Sequence, residues 1–386
     1  MLTQQENNNV KEKRQEVSGK QQTTDNYILI TGGAGFVGIN LADRLLAEGE
    51  QVLIFDNLSR AGVENNLMWL KERYPDALRV MIQDIRNKDA VNQAVQRAKQ
   101  VFHFAAQVAV TSSLANPFHD FEVNAQGTLN LLESIRQSDN KPPIVFTSTN
   151  KVYGELSDLG IVMNGTRYHP ENLHFRKRGI SEERNLDFHS PYGCSKGVAD
   201  QYMIDYSRTF GLKTVVFRMS CIYGPHQFGT EDQGWVAHFL IQTLKNKHIT
   251  LFGDGKQVRD ILFVDDLVNA FLLAQEHIHA ISGNAFNIGG GVQNTISLLE
   301  LLDMIHELLG RKPDVSFDDW RPGDQKYYVS DFTKFKKATG WMPKVSTLEG
   351  IEKLYDWLTE NYAVYRKNGH QRIKKREAST KLRTVN

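Results

Sequence analysis

The sequence predicts an α/β fold built on a doubly wound parallel sheet, and three observations lead to that prediction. From residue 26 onwards, short apolar runs rich in β-branched residues alternate with longer stretches of helical periodicity. The apolar runs are almost uninterrupted, which is typical of strands buried on both faces of a parallel sheet. The first run leads directly into a glycine-rich turn between residues 32 and 38.

The predicted strands follow one another along the first 220 residues. They are Tyr27–Thr31, Gln51–Phe55, Arg79–Gln83, Gln100–Phe104, Ile144–Ser148 and Lys213–Met219. Between the first two, Val37, Leu41 and Leu45 recur at helical spacing and predict an amphipathic helix. Repetition of strand and helix in this order predicts the doubly wound sheet.

The second half of the chain predicts a smaller C-terminal domain whose segments interleave with the main sheet. Residues 224–255 are rich in glycine, aromatic and polar residues, which favours loops around a site. Ser297 and Glu300 form a capping box, and the helix that follows should end at Gly310. We expect the main domain to comprise residues 26–220 plus 260–285, and the smaller domain residues 221–259 plus 286–362.

Composition excludes several classes of protein. The 386 residues, 40% hydrophobic and 24% charged, suffice for two globular domains. No apolar run approaches the roughly 18 residues that a membrane span needs. The two cysteines cannot build a disulfide framework or a thiolate-rich zinc site. With a net charge of +1 the chain is not a general nucleic-acid binder. We therefore expect a cytoplasmic protein with no metal site, no nucleic-acid partner and no membrane span.

Both ends of the chain are expected to be disordered. Residues 1–25 are polar and lack the apolar segment of a secretory signal. Residues 366–386 carry eight basic residues against one acid, Glu377. A charged end of this kind is most often a solvated tail.

The glycine-rich turn predicts a dinucleotide site. Gly32, Gly35 and Gly38 would permit the tight turn, let the backbone approach a pyrophosphate, and let the helix pack on the strand. The N–H groups at Phe36 and Val37, where the helix begins, would face the phosphates. This spacing after a strand predicts a Rossmann-type sheet.

Asp56 closes the second strand about 20 residues further on, where a carboxylate binds the adenosine ribose hydroxyls and repels a 2′-phosphate. That position favours NAD over NADP, although Arg60 lies close by in the sequence and would favour a 2′-phosphate. The ends of the next two strands complete the predicted cofactor site. Its further residues are Asn57, Asp84, Ile85, Ala105, Ala106, Gln107 and Asn124, and Tyr192 and Lys196 are also expected to contact the cofactor.

A catalytic set is predicted on a later helix. Tyr192 and Lys196 are four residues apart and so share one helix face. A phenol with its reference pKa of about 10 is a poor base at neutral pH. A neighbouring ammonium would move that pKa towards neutrality. Thr149 directly follows the fifth predicted strand, at the carboxyl edge of the sheet, where it could donate to a substrate oxygen.

Together these motifs resemble the extended short-chain dehydrogenase/reductase family of nucleotide-sugar epimerases and dehydratases, over residues 26–362. The resemblance implies that NAD binds the main domain and a nucleotide diphosphate sugar the smaller one. It also implies that Arg259 and Arg321 clamp the diphosphate, that Asn150 and Cys221 contact substrate, and that the protein is a homodimer. The segments around residues 148–154, 219–224 and 229–239 are similar to the branch that inverts C2 of CDP-linked 6-deoxy or dideoxy sugars.

Two departures from the family pattern bear on the reaction. Dehydratases of this family carry Asp-Glu just after the catalytic Thr, whereas this chain has Asn150 and Lys151. Cys221 stands where many relatives have Asn. The sequence therefore predicts an NAD-dependent epimerase that oxidises the sugar to a ketosugar and returns the hydride to the other face.

Three alternatives stay open from the sequence. The first is a 4-epimerase with the same catalytic set, and the second is a 4,6-dehydratase, which Asn150 and Lys151 disfavour. The third is a non-catalytic dinucleotide-binding scaffold. His103, His226 and His238 are interpreted as structural residues.

Overall fold

The computed structural model describes residues 26–361. The predicted extension 1–25, the predicted tail 366–386 and residue 362 of the smaller domain lie outside the described residues. The strands are β1 (Tyr27–Thr31), β2 (Val52–Asp56), β3 (Leu78–Ile82), β4 (Ala98–His103), β5 (Ile144–Thr149), β6 (Ile161–Asn164), β7 (Arg167–Pro170), β8 (Thr214–Met219), β9 (Cys221–Tyr223), β10 (Ile249–Phe252), β11 (Val258–Phe263), β12 (Asn284–Ile288), β13 (Thr295–Ser297), β14 (Val315–Asp318) and β15 (Tyr327–Tyr328).

The α-helices are α1 (Phe36–Ala47), α2 (Val63–Arg73), α3 (Lys88–Val95), α4 (Val110–Ala115), α5 (Pro117–Phe121), α6 (Gly127–Gln137), α7 (Leu173–Arg178), α8 (Ser190–Phe210), α9 (Trp235–Leu244), α10 (Val264–Glu276), α11 (Ile278–Ile281), α12 (Leu298–Leu309), α13 (Thr333–Thr339) and α14 (Thr347–Asn361). A π-helical turn spans Glu122–Gln126, and 3₁₀ turns span Asn150–Tyr153 and Val292–Asn294.

The main sheet confirms the predicted fold class. Its seven strands run in the order β12-β8-β5-β4-β1-β2-β3, and every neighbouring pair is parallel. The chain reverses its direction of winding between β1 and β4. In open α/β sheets a ligand binds at the carboxyl ends of the strands beside such a switch point.

Helices cover the sheet on both faces because alternate side chains of each strand point to opposite sides. Ile28 and Ile30 of β1 belong to one buried cluster, with residues of α1 and α10. Leu29 belongs to a second cluster, with residues of α6 and α8. The sheet is thus buried on both sides, as the uninterrupted apolar runs predict.

The smaller domain is built on short strands and a third apolar core. β11 pairs with β13, β15 and β9, while β10 pairs with β14. Its core packs residues of α9, α12 and α14 together. The predicted capping box at Ser297 and Glu300 is present, and Gly310 caps the end of α12 in the left-handed conformation.

Several predicted boundaries are displaced. The boundary at 259/260 falls inside β11, and the boundary at 285/286 falls inside β12, which stays in the main sheet as far as Ile288. Phe335 and Trp341, placed in the smaller domain, pack in the main core. The expectation of loops over 224–255 was wrong in part, because α9 and β10 lie there. No helix within the described residues is long and apolar enough to cross a membrane.

Candidate active site

The glycine-rich turn between β1 and α1 forms a backbone cradle at the switch point. A Cβ at Gly32 would lie 2.6 Å from the Ala105 nitrogen, and one at Gly38 would lie 2.5 Å from the Gly32 carbonyl oxygen. Gly35 is the N-cap of α1, and no side chain caps the helix. The first N–H groups of α1, from Phe36 and Val37 on, are therefore available to an anion, so the cradle fits a dinucleotide pyrophosphate.

Asp56 closes β2 beside this turn. Its carboxylate accepts hydrogen bonds from the backbone N–H groups of Ala34 (3.0 Å) and Leu58 (2.8 Å). Burial raises the pKa of Asp56, and these backbone bonds oppose that rise. Arg60 donates to the side chain of Gln233, a residue of the loop before α9. Its guanidinium is thus engaged by the smaller domain, while the Asp56 carboxylate is fixed at the cradle, an arrangement that fits NAD.

Two of the predicted cofactor residues, Asn57 and Asp84, form a surface network beyond the carboxyl ends of β2 and β3. Asn57 donates to Asp84 (2.9 Å), and Arg86 pairs with the same carboxylate (2.9 Å). The hydrogen bond from Arg86 lowers the pKa of Asp84 to about 2. Ile85 is 4% exposed, and its side chain anchors this segment in the core of the main domain.

The segment after β4 is positioned by a buried amide. Asn124 accepts from the Gln107 N–H (2.9 Å) and donates to the Gln107 carbonyl (3.0 Å). It also donates to Asp120 (3.2 Å) and Ser195 (3.0 Å). Asn124 was predicted to bind the cofactor. That role stays a prediction; the Asn124 side chain is 1% exposed, and its hydrogen bonds fix the loop at Gln107.

Thr149 ends β5 at the carboxyl edge of the sheet, as predicted. Its hydroxyl donates to the side-chain oxygen of Asn150 (3.3 Å), and the Asn150 amide donates to Gln325 (3.2 Å). Gln325 in turn donates to the Gly154 carbonyl (2.6 Å). Asn150 therefore orients the Thr149 hydroxyl, and its amide is fixed by a residue of the smaller domain.

Tyr192 lies in the first turn of α8 and is almost fully buried. Its backbone N–H donates to the Ser113 hydroxyl (3.1 Å). Burial raises the pKa of the Tyr192 phenol to about 12, a side-chain hydrogen bond with Thr149 lowers it, and the charge of Asp120 raises it. The structure therefore brings Tyr192 and Thr149 together.

Lys196 lies one turn further along α8 and is 3% exposed. Its ammonium donates to the Thr147 carbonyl (2.7 Å) and lies 4.2 Å from the centre of the Phe146 ring. Burial lowers the pKa of Lys196 to about 7, against the charges of Asp200 and Asp120. We expected Lys196 to lower the pKa of Tyr192. That effect stays a prediction; in the structure the ammonium donates to the Thr147 carbonyl.

A buried ion pair joins α8 to the sheet. Arg218 on β8 makes two hydrogen bonds to Asp200 of α8, at 2.9 and 2.8 Å. The guanidinium also donates to the Tyr153 hydroxyl (3.1 Å), which donates to Asn287 (2.8 Å). Arg218 thereby fixes the helix of Tyr192 against the strand that neighbours Thr149.

The two predicted diphosphate arginines are associated with one turn, residues 320–324. Arg259 on β11 is 7% exposed and lies 3.5 Å from Asp324. Arg321 lies 3.5 Å from Asp232 and stacks on the Phe252 ring at 3.7 Å. The Cys221 thiol accepts from the Trp235 indole (3.4 Å), and burial raises its pKa.

Comparison with known proteins decides the family. A family model described as GDP-mannose 4,6 dehydratase matches residues 29–354. The chain belongs to the NAD-dependent epimerase/dehydratase family.

Individual members of the epimerase/dehydratase family match along almost their whole length. CDP-paratose 2-epimerase from Salmonella typhi is 45% identical over 86% of this chain and 98% of its own. The solved UDP-glucose 4-epimerase of Thermus thermophilus, in complex with NAD, is 33% identical with a TM-score of 0.73, over 87% of this chain and 100% of its own. The UDP-glucuronic acid 4-epimerase of Bacillus cereus, in complex with UDP-glucuronic acid and NAD, is 28% identical with a TM-score of 0.74, over 87% and 100% of the two chains.

Membership of the epimerase/dehydratase family confirms the predicted cofactor, NAD. In this family member the cradle at Gly32, Gly35 and Gly38 and the carboxylate of Asp56 are the groups that would hold it. The resemblance inferred from the sequence motifs is likewise confirmed.

Of the three histidines interpreted as structural from the sequence, His103 and His226 make contacts that support that interpretation. His103 is fully buried between the hydroxyls of Thr31 (2.6 Å) and Thr128 (2.9 Å), and burial lowers its pKa to about 3. His226 contacts Asn66, and burial lowers its pKa to about 4. The absence of a metal site stays a prediction.

Sequence reasoning missed several residues that build the site. Tyr192 and Asn124 are supported through hydrogen bonds by three residues, Ser113, Asp120 and Ser195. Gln325 fixes Asn150. Only Ser195 carried a signal, because it lies between Tyr192 and Lys196 in the motif. The others come from segments far away in the chain.

Proposed function

We propose that this protein is an NAD-dependent nucleotide-sugar epimerase that inverts C2 of a CDP-linked 6-deoxy or dideoxy sugar, converting CDP-paratose to CDP-tyvelose. One observation carries the choice of epimerisation over dehydration. The position after Thr149 holds an amide fixed by Gln325, and the next holds an ammonium, so no carboxylate pair stands there to remove water. The choice of C2 and of CDP is supported by the 45% identity to CDP-paratose 2-epimerase.

Three residues of this chain perform the proton chemistry. The Tyr192 phenolate takes the proton of the sugar hydroxyl, while the Thr149 hydroxyl turns from Asn150 to donate to the same oxygen and fixes its direction. Bound NAD would supply a hydride acceptor and donor and the positive charge of its oxidised nicotinamide. Lys196 adds a second positive charge on the same helix face. Asn124 holds the loop at Gln107 in place.

Holding the reacting groups supplies much of the acceleration in such a site. The ketosugar turns within the pocket before the hydride returns, so the pocket must hold the diphosphate firmly while the sugar rotates. Arg259 and Arg321 are the proposed clamp, since a guanidinium makes bidentate bonds to phosphate.

The deciding experiment uses CDP-paratose that carries deuterium at C2, with the reaction run in ordinary water and read by NMR. We expect inversion at C2 with the deuterium retained, because the hydride leaves and returns within one active site. Loss of deuterium to solvent would refute the hydride mechanism. Tyr192→Phe should bind NAD normally and lose about 10²–10⁴-fold in turnover, as removal of a general base predicts.

A 4-epimerase is the second candidate, because two solved relatives are named as 4-epimerases. The same labelled sample distinguishes the two, together with UDP-glucose as an alternative substrate. Inversion at C4, or turnover of UDP-glucose without turnover of CDP-paratose, would favour the 4-epimerase.

Two further assignments are proposed with this function. We propose a homodimer, supported by apolar side chains exposed at Leu114 (46%), Phe118 (84%) and Phe121 (54%) on α4 and α5. Sedimentation of Phe118→Glu beside wild type tests that face. We also propose the cytoplasm as the compartment, supported by both cysteines being free thiols.

A further inference from the structure

A buried group of charges lies beside the Thr149 hydroxyl, and two of its members, Lys151 and Asp324, have no role in the chemistry described above. The backbone N–H of Lys151 donates to the Thr149 hydroxyl (3.2 Å). The Lys151 ammonium donates to the Gly323 carbonyl (2.9 Å) and lies 3.5 Å from Oδ1 of Asp324. The guanidinium of Arg259 lies 3.5 Å from the same oxygen.

The group holds two basic side chains against one carboxylate. Two cations, Lys151 and Arg259, share the single carboxylate of Asp324, and their side chains are only 20% and 8% exposed. Burial lowers the pKa of the Lys151 ammonium, whereas Asp324 opposes that shift. Cys221 also faces this ammonium, and burial keeps its thiol neutral by raising its pKa. A further anion at this place would relieve the cost of burying the second cation.

We propose that Lys151 and Arg259 together bind the sugar-linked phosphate of the nucleotide diphosphate, and that this contact places C2 of the sugar beside Thr149 and Tyr192. The proposal rests on the function proposed above. The phosphate is attached to C1, so C2 is the next carbon, whereas C4 lies across the ring. An ammonium tethered two residues from Thr149 therefore brings the phosphate end of the sugar to the catalytic hydroxyl.

A lysine at position 151 suits this role, whereas a carboxylate would not. A carboxylate at residue 151 would repel the phosphate and would leave Arg259 and Asp324 as a neutral pair. A 4-epimerase has to hold the phosphate a ring's width from its catalytic hydroxyl, so a cation next to that hydroxyl would favour the wrong carbon. Lys151 is thus a substrate-binding residue that selects the reacting carbon.

The test compares two substitutions with opposite expected signs, by calorimetric titration of the NAD-loaded enzyme with CDP and with CMP. Lys151→Met removes the charge and keeps the apolar stem, so CDP binding should weaken about 10- to 100-fold, as for a lost charged hydrogen bond. CMP lacks the second phosphate, and its binding should change less than about 3-fold. Asp324→Asn removes the competing carboxylate, so CDP binding should tighten by about 3-fold or more.

Controls separate this role from a merely structural one. Lys99→Met, at an exposed lysine on β4, should leave both affinities unchanged. Lys151→Arg keeps the charge and should bind CDP within about 3-fold of wild type. NAD affinity and melting temperature report whether each variant is folded. If Lys151→Met and Asp324→Asn both weaken CDP binding, or if Lys151→Met weakens CDP and CMP equally, the proposal is wrong.

Turnover tests the choice of carbon. With C2-deuterated CDP-paratose, Lys151→Met should raise KM and lower kcat together, because a poorly anchored phosphate leaves C2 away from Thr149. An unchanged kcat would refute the role in placing C2. If wild-type enzyme converts no CDP-sugar, the proposed function fails, and the binding test is then repeated with UDP and UMP, whose phosphates are the same.

Discussion

Breaking the buried ion pair between α8 and β8 should destabilise the protein strongly. Asp200→Asn keeps the size of the side chain and removes its charge, so the guanidinium of Arg218 stays buried without a counter-ion. The two side chains are 0% and 5% exposed and are joined by hydrogen bonds of 2.9 and 2.8 Å. Loss of one partner of such a pair costs about 3–5 kcal/mol.

The magnitude should lie towards the lower end of that range, because Arg218 keeps its hydrogen bond to the Tyr153 hydroxyl. Urea unfolding of the NAD-free protein measures the difference, with the midpoint falling and the slope unchanged. The matched control is Glu48→Gln in the exposed pair with Arg44, where side chains are 46% and 49% exposed and the cost should stay below about 1 kcal/mol.

The double variant Asp200→Leu with Arg218→Met should recover part of the loss, since apolar replacement of both partners removes the uncompensated charge. A cost below about 1 kcal/mol for Asp200→Asn would refute the reasoning. It would mean that this pair contributes no more than one on the surface.

Three further predictions concern the cofactor site and pH. Asp56→Ala should weaken NAD binding and lower the ratio of NAD affinity to NADP affinity. Titration with both nucleotides measures that ratio, and an unchanged ratio would mean that another residue excludes NADP. Gly38→Ala should weaken NAD binding at least 10-fold, because the new Cβ would lie 2.5 Å from the Gly32 carbonyl and push α1 off the cradle. Gly49→Ala, in open space but at a positive φ of 88°, should lower stability without changing NAD affinity. Burial holds the pKa of Lys196 at about 7, below its unfolded value, so the folded state binds fewer protons between about pH 7 and 10.5. The free energy of unfolding of the NAD-free protein should therefore rise with pH across that window relative to Lys196→Met, and a difference independent of pH would contradict the assignment.

Local patterns were enough to predict the parts of the site that lie close together in the chain. The glycine turn, Asp56, and the Tyr192–Lys196 pair each follow from a short spacing next to a strand or helix. The predicted boundary at 285/286 divides β12, whose apolar run is interrupted by Asn284 and Asn287. In the structure Asn287 is fully buried and bonded to Tyr153 and to the Ile180 carbonyl, two partners far away in the sequence.

The charges around Lys151 show the same limit. Its counter-ion Asp324 and the carbonyl of Gly323 come from a turn near the end of the smaller domain. A single sequence gives no signal for a pairing of that separation. The sequence indicated that residue 151 departs from the dehydratase pattern, whereas the structure shows which groups the lysine meets.

The place of β12 in the main sheet has a consequence for the order in which the protein is made. The ribosome releases β8, at residues 214–219, well before β12, at residues 284–288, and most of the smaller domain's first segment emerges between them. Until β12 arrives, β8 is an open sheet edge able to pair with another chain. At about 5–20 residues per second that exposure lasts several seconds. The main domain therefore cannot finish folding during synthesis as an independent N-terminal unit, and nascent chains that stall before Asn284 should be the species most prone to aggregate.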